Sequence, residues 1–220
     1  MITQTSDNKV RQCVILLSPL GIIAIGHLVA RFAVIYLGVW AWLPLQLTLW
    51  SMFAWLIAWG GGRESIQRWL LPPHGAWGWS ALAVLVGTIP LQLFLQNWKL
   101  FDSIGLVLLS LLLIVINPFL EEGYWRGLLL DQSKAWPGWL SILYSSFFFA
   151  VDHPLTFGVF SIANRHPITT ISTFIMGVVW AIVYKKTGSL RWLIFSHLLV
   201  DLFNLSILAL LNVFVPSGLP

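Results

Sequence analysis

The chain has 220 residues, 58% of them hydrophobic and 9% charged, with a net charge of +4 and a single cysteine. Soluble domains carry about 25% charged residues, so this composition excludes an ordinary soluble fold and describes an all-α, polytopic membrane helical bundle forming one integral membrane domain over 1–220. The twelve Lys and Arg residues are dispersed, which excludes a nucleic-acid surface, and Cys13 alone excludes an internal disulfide or a cysteine-based zinc cluster.

About twenty apolar residues cross a bilayer. The hydropathy pattern predicts seven spans, at about 13–35, 41–60, 78–97, 104–132, 138–157, 168–184 and 190–213. An eighth short segment has room within 158–167 or near the C-terminus. Lys9 and Arg11 before the first apolar run resemble a signal-peptide start, but the hydrophobicity continues, so a retained first span is expected. Only Arg31 and Pro44 separate the first two spans. Gly60-Gly61-Gly62, followed by polar residues up to His74, predicts a long loop after the second. The third span contains Pro90, Gln92 and Gln96 and is the weakest. Fourteen tryptophans suit a chain with many membrane interfaces.

With the N-terminus placed in the cytoplasm, the inner side holds eight Lys/Arg (Lys9, Arg11, Arg63, Arg68, Lys134, Lys185, Lys186, Arg191) and the outer side three (Arg31, Lys99, Arg165). This bias predicts a cytoplasmic N-terminus and an outer C-terminus. The expected location is a prokaryotic plasma (inner) membrane.

The fourth span carries Glu121, Glu122 and Arg126 inside an apolar run. Each charge at a bilayer centre costs roughly 2.5–3.5 kcal/mol on insertion scales. Intramembrane ionisable groups are therefore functional candidates by default. Glu122 and Arg126 are four residues apart and share a helix face. Glu121 points about 100° away and stays free for another task. Pro118, one turn earlier, is expected to kink the helix. The plain alternative for Glu122–Arg126 is a structural ion pair.

The fifth span contributes Phe149 and His153. Glu122 lies fifteen residues before Pro137 and His153 fifteen after Gly138. In antiparallel neighbouring helices both would lie roughly 22 Å from the turn, which predicts contact. Phe149 would shield the site or hold the imidazole; its alternative is core packing. The seventh span adds His197 and Asp201 as an i,i+4 pair.

A glutamate beside a histidine can deprotonate water as a general base, and a second histidine can donate to a developing oxyanion. These residues therefore point to peptide hydrolysis without a covalent intermediate and without a cofactor. No serine occupies a nucleophile setting, and Cys13 is far in sequence from the site. Two His with a carboxylate also suit zinc, although the H-E-x-x-H spacing is absent; zinc stays an alternative. A proton-coupled transporter or a non-catalytic scaffold or immunity protein using the same polar residues is the rival class.

The sequences Glu121-Glu122-Gly-Tyr-Trp-Arg126, Phe149-Ala-Val-Asp-His153 and His197-Leu-Leu-Val-Asp201 resemble, in order, the three motifs of the CAAX protease and bacteriocin-processing (CPBP) family of glutamic intramembrane proteases. The type II CAAX prenyl endopeptidases are a branch of that family. Similarity covers about 115–205, within a catalytic core of about 104–213. It includes Pro118, Gly127 and Thr187-Gly-Ser-Leu190. The resemblance implies that Glu121 and His153 activate water. His197 and Asp201 would form the oxyanion pocket, and Glu122 and Arg126 would brace the site. It also implies a protein or peptide substrate held at the bilayer, in a bacteriocin-processing, immunity or protein-sorting role. Asp201 stands where the eukaryotic branch has Asn, so it is either protonated and donating or an anion that orients His197. Ala181, after Gly177, replaces a second glycine. His27, His74 and His166 lack a partner pattern and are expected to be structural or interfacial.

Overall fold

The computed structural model describes the backbone of residues 2–216 and the side chains of residues 8–216. The C-terminal tip, for which an outer location is expected, lies outside the described residues. Among the described residues 85% are helical and none is in a strand.

The first helix, α1, is continuous over Ile2–Leu37 despite Pro19. A short 3-10 turn, Gly38–Ala41, with Gly38 at φ 54°, separates it from α2 (Trp42–Leu56). The expected loop after α2 is largely helical. The glycines are absorbed in a π turn, Ile57–Gly61, and α3 (Gly62–Trp69) follows directly. Gly62 takes φ 66° at the junction, which glycine tolerates. Trp69 is then drawn into the core, where it is buried, so packing overrides the helix-ending signal.

The third expected span is broken as its composition suggests: α4 (Trp77–Thr88) and α5 (Leu91–Asn97) meet at Pro90. Ser103 caps α6 (Ile104–Glu122), accepting from the Leu106 amide at 3.3 Å. Helix α6 runs through Pro118 into a second π turn, Gly123–Leu128, and a short α7 (Leu129–Gln132). Then come α8 (Gly138–Leu155), the short α9 (Ile162–Arg165) and α10 (Pro167–Thr187). Helix α10 is capped by His166, whose side chain accepts from the Ile168 amide, and ends on Gly188 in the left-handed conformation. The last expected span is divided: α11 (Arg191–Phe203) stops, Leu205 adopts φ 56°, and α12 (Ser206–Leu210) leaves in a new direction.

Among the described residues, four stretches are long and apolar enough to cross a membrane: Asn8–Trp69, Trp77–Leu100, Ile104–Gln132 and Pro167–Thr187. Exposed apolar side chains such as Ile35, Ile89, Ile104 and Ile175 cover the outside, as a lipid-facing surface requires. Inside, α8 lies along α10, α11 is set between α4 and α6, and α1 runs beside α2. The π turn after α6 is the centre of the molecule; every residue from 121 to 130 is buried.

Two glycines permit that centre. A Cβ on Gly123 would meet Ile57 Cδ1 at 2.9 Å, so the two π turns touch there. A Cβ on Gly127 would meet the Trp69 ring at 2.8 Å. At the end of α7, Asp131 accepts from the Arg68 guanidinium, from Trp69 Nε1 at 2.9 Å and from Tyr184 Oη at 2.9 Å. This cluster pins α3 and α10 to α7.

Candidate active site

Glu121 and Glu122 close α6 at the entry to the π turn, and Arg126 lies within the turn. A π turn inserts a residue into the helical repeat and re-aims side chains, often at functional sites. Arg126 Nη1 donates to Glu122 Oε1 at 3.0 Å, both side chains wholly buried. The guanidinium also stacks over the Phe149 ring at 3.9 Å, with the Trp180 ring 5.2 Å away. Gly177 opens this slot: a Cβ there would stand 3.2 Å from Arg126 Nη2 and 3.3 Å from Phe149 Cδ1.

His197 arrives from α11. Its Nδ1 lies 2.8 Å from Glu122 Oε1, which is therefore shared between His197 and Arg126. A carboxylate accepts, so Nδ1 carries a proton. The other ring nitrogen, Nε2, lies 3.7 Å from Glu121 Oε2 and 3.8 Å from Asp201 Oδ2. The Trp180 ring lies 5.0 Å from the imidazole at 31° and is held by Nε1 donation to Ser196 Oγ at 3.1 Å. Glu121 Oε2 is buried and has no hydrogen-bond partner among the described residues.

His153 sits one helical turn beyond Phe149. Its Nδ1 lies 2.9 Å from the Phe149 carbonyl oxygen. A carbonyl only accepts, so Nδ1 is the donor and the neutral ring presents Nε2 as a bare lone pair. The Phe149 ring stands between the histidines, with centroids 5.2 Å from His153 and 6.2 Å from His197. Helix α8 is tied to the π turn by Ser145 Oγ, which donates to the Trp125 carbonyl at 2.6 Å.

The fold thus gathers Glu121, Glu122, Arg126, His197 and Asp201 into one buried cluster, with Phe149 against it and His153 next to Phe149. Glu121 faces His197. Residues without a motif join them: Trp180 and Gly177 from α10, and Asn117 from α6. His27, His74 and His166 lie apart. His27 Nδ1 bonds the Leu155 carbonyl oxygen at 2.6 Å, the His74 amide donates to Thr187, and His166 caps α10. Among the described residues, no group of three or more His, Cys, Asp or Glu has an arrangement that could hold a metal ion.

Residues 103–203 match the family model described as type II CAAX prenyl endopeptidase Rce1-like. That segment belongs to the Rce1-like family. Comparison with curated proteins and with solved structures gave no match. The Rce1-like segment begins at the cap of α6 and ends with α11, so it contains all three motifs and excludes α1 to α5. An Rce1-like segment within a bundle of apolar helices makes this an integral membrane protein.

Proposed function

We propose that this chain is a glutamic-type intramembrane endopeptidase, hydrolysing a peptide bond in a membrane-associated protein or in its C-terminal tail. The observation that carries the proposal is the buried polar cluster in which Glu121, Glu122 and Arg126 of one segment meet His197 and Asp201 of α11, with Phe149 of α8 packed against it. Glu121 has an unpartnered carboxylate oxygen there, 3.7 Å from His197 Nε2. A charged group is maintained in such surroundings only where a task or a partner offsets its desolvation.

In this mechanism Glu121 takes a proton from water as the oxygen attacks the scissile carbonyl. The bare Nε2 of His153 accepts the water's second hydrogen as a hydrogen bond and fixes its direction. The carbonyl becomes a tetrahedral oxyanion, which the Nε2–H of doubly protonated His197 stabilises. Glu121 then returns its proton to the leaving nitrogen, the C–N bond breaks, and a carboxylic acid and an amine are released. Glu122 accepts from both Arg126 and His197 and holds the imidazole in place. No step requires a metal.

Purified protein reconstituted in lipid vesicles should cleave either a prenylated CAAX-tail reporter or one of a set of unlipidated membrane-associated peptides. Product mass identifies the bond broken. Intact reporters throughout, with well-folded protein, would overturn the proposal.

A further inference from the structure

Asn117 belongs to none of the three motifs, yet it contacts the site. It lies one turn before Glu121 and is 6% exposed. Its Oδ1 accepts two hydrogen bonds from α2, one from Gln46 Nε2 at 2.9 Å and one from Trp50 Nε1 at 3.0 Å. Its Nδ2 donates to Asp201 Oδ2 at 3.3 Å. An indole N–H can only donate. The amide oxygen must therefore face Trp50, and the amino group must face Asp201.

Asp201 meets a second donor on its other side. Leu205, at φ 56°, ends α11 and brings Ser206 back, so that Ser206 Oγ donates to Asp201 Oδ1 at 3.2 Å. A non-glycine residue at positive φ is uncommon and costs free energy. Both carboxylate oxygens of Asp201 are thereby used as acceptors, and Oδ2 faces His197 Nε2.

We propose that Asn117, its amide oriented by Gln46 and Trp50, is a positioning residue that holds Asp201 as a hydrogen-bond acceptor beside His197. The inference rests on the proteolytic reading of the Glu121 cluster and extends it to α2, which lies outside the Rce1-like segment. Hydrogen bonds to an ionised form favour that form. The titratable groups facing Asp201 are His197 on its own helix and Glu121 and Glu122 on α6, with Arg126 behind the glutamates. With Asp201 an acceptor, His197 can keep the second proton that it needs to meet an oxyanion.

The test uses full-length protein in vesicles and the reporter that the parent cleaves. N117L keeps the branching of the side chain and removes the donor, and W50F keeps an aromatic ring and removes one orienting N–H. For N117L, kcat should fall about tenfold with KM unchanged, and the acid limb of the pH–rate profile should move to higher pH. W50F should show the same signature with a smaller loss. I114A, a buried apolar lesion on the same helix, should lower thermal stability without moving the profile. A folded N117L with parental kcat and profile overturns the inference. So does activity that falls only with the folded fraction while the profile stays fixed. If N117L does not fold, W50F decides on the same criteria. A parent that cleaves nothing instead removes the proteolytic reading beneath it.

Discussion

At the scale of single residues, shared acceptors organise the centre. Glu122 Oε1 serves Arg126 and His197 at once, so it offsets the burial of the Arg126 cation and satisfies the His197 N–H. Breaking a buried pair from one side typically costs about 3–5 kcal/mol. Glu122→Gln should therefore lower the melting temperature as well as the turnover, a coupled loss that thermal unfolding and a cleavage assay together detect. Asp201 gives a sharper prediction. With Asn117 and Ser206 both donating to it, it acts as an acceptor, and Asp201→Asn should lose most activity at every pH while folding normally. Retained cleavage, declining less at alkaline pH than in the parent, would instead show Asp201 to be a protonated donor. The pairs Glu122–Arg126 and His197–Asp201 are legible from spacing, because ionisable residues paired at i,i+4 stand out in an apolar helix. Asn117, Gln46 and Trp50 are not: their contacts join residues 67 to 84 positions apart, and no spacing rule reaches that far. Their signal is an amide inside each of two apolar spans.

At the scale of elements, the π turn at Gly123–Leu128 decides how the motif is displayed. Its glycines are sites of close approach. A methyl group on Gly127 would meet a Trp69 ring enclosed by the core, and such overpacking typically costs about 1–3 kcal/mol. Gly127→Ala should thus destabilise the protein, and chemical or thermal unfolding measures it. Gly127→Val should be worse, because the larger side chain adds to the same clash. Hydropathy locates the first four and the sixth expected spans in stretches apolar enough to cross a membrane, whereas α8 and α11 lie outside those stretches. It fails where packing competes with local signals. Gly60-Gly61-Gly62 predicts a loop but continues as helix because Trp69 gains a buried seat against Gly127. The expected last span reads as one apolar run but divides at Leu205, whose conformation nothing in its side chain announces.

At the scale of the whole molecule, a lipid-facing shell surrounds a polar centre built mainly from the Rce1-like segment, with α2 contributing Gln46 and Trp50 to its edge. The eight-to-three distribution of Lys and Arg predicts that reporter fusions will place the N-terminus in the cytoplasm; an outward N-terminus would reverse the orientation. The mechanism also predicts that activity survives prolonged chelation, with no stoichiometric zinc by elemental analysis. Loss on chelation with rescue by zinc would move Glu121, His153 and His197 to ligand roles. The central claim is that Glu121 is the base, and one comparison tests it most directly: cleavage by the parent and by Glu121→Gln, both folded and in the same vesicles. The substitution keeps the shape of the side chain and removes its capacity to take a proton at working pH. The account predicts that the Gln variant binds the reporter and leaves it intact; turnover at the parental rate by a folded Gln variant would contradict it.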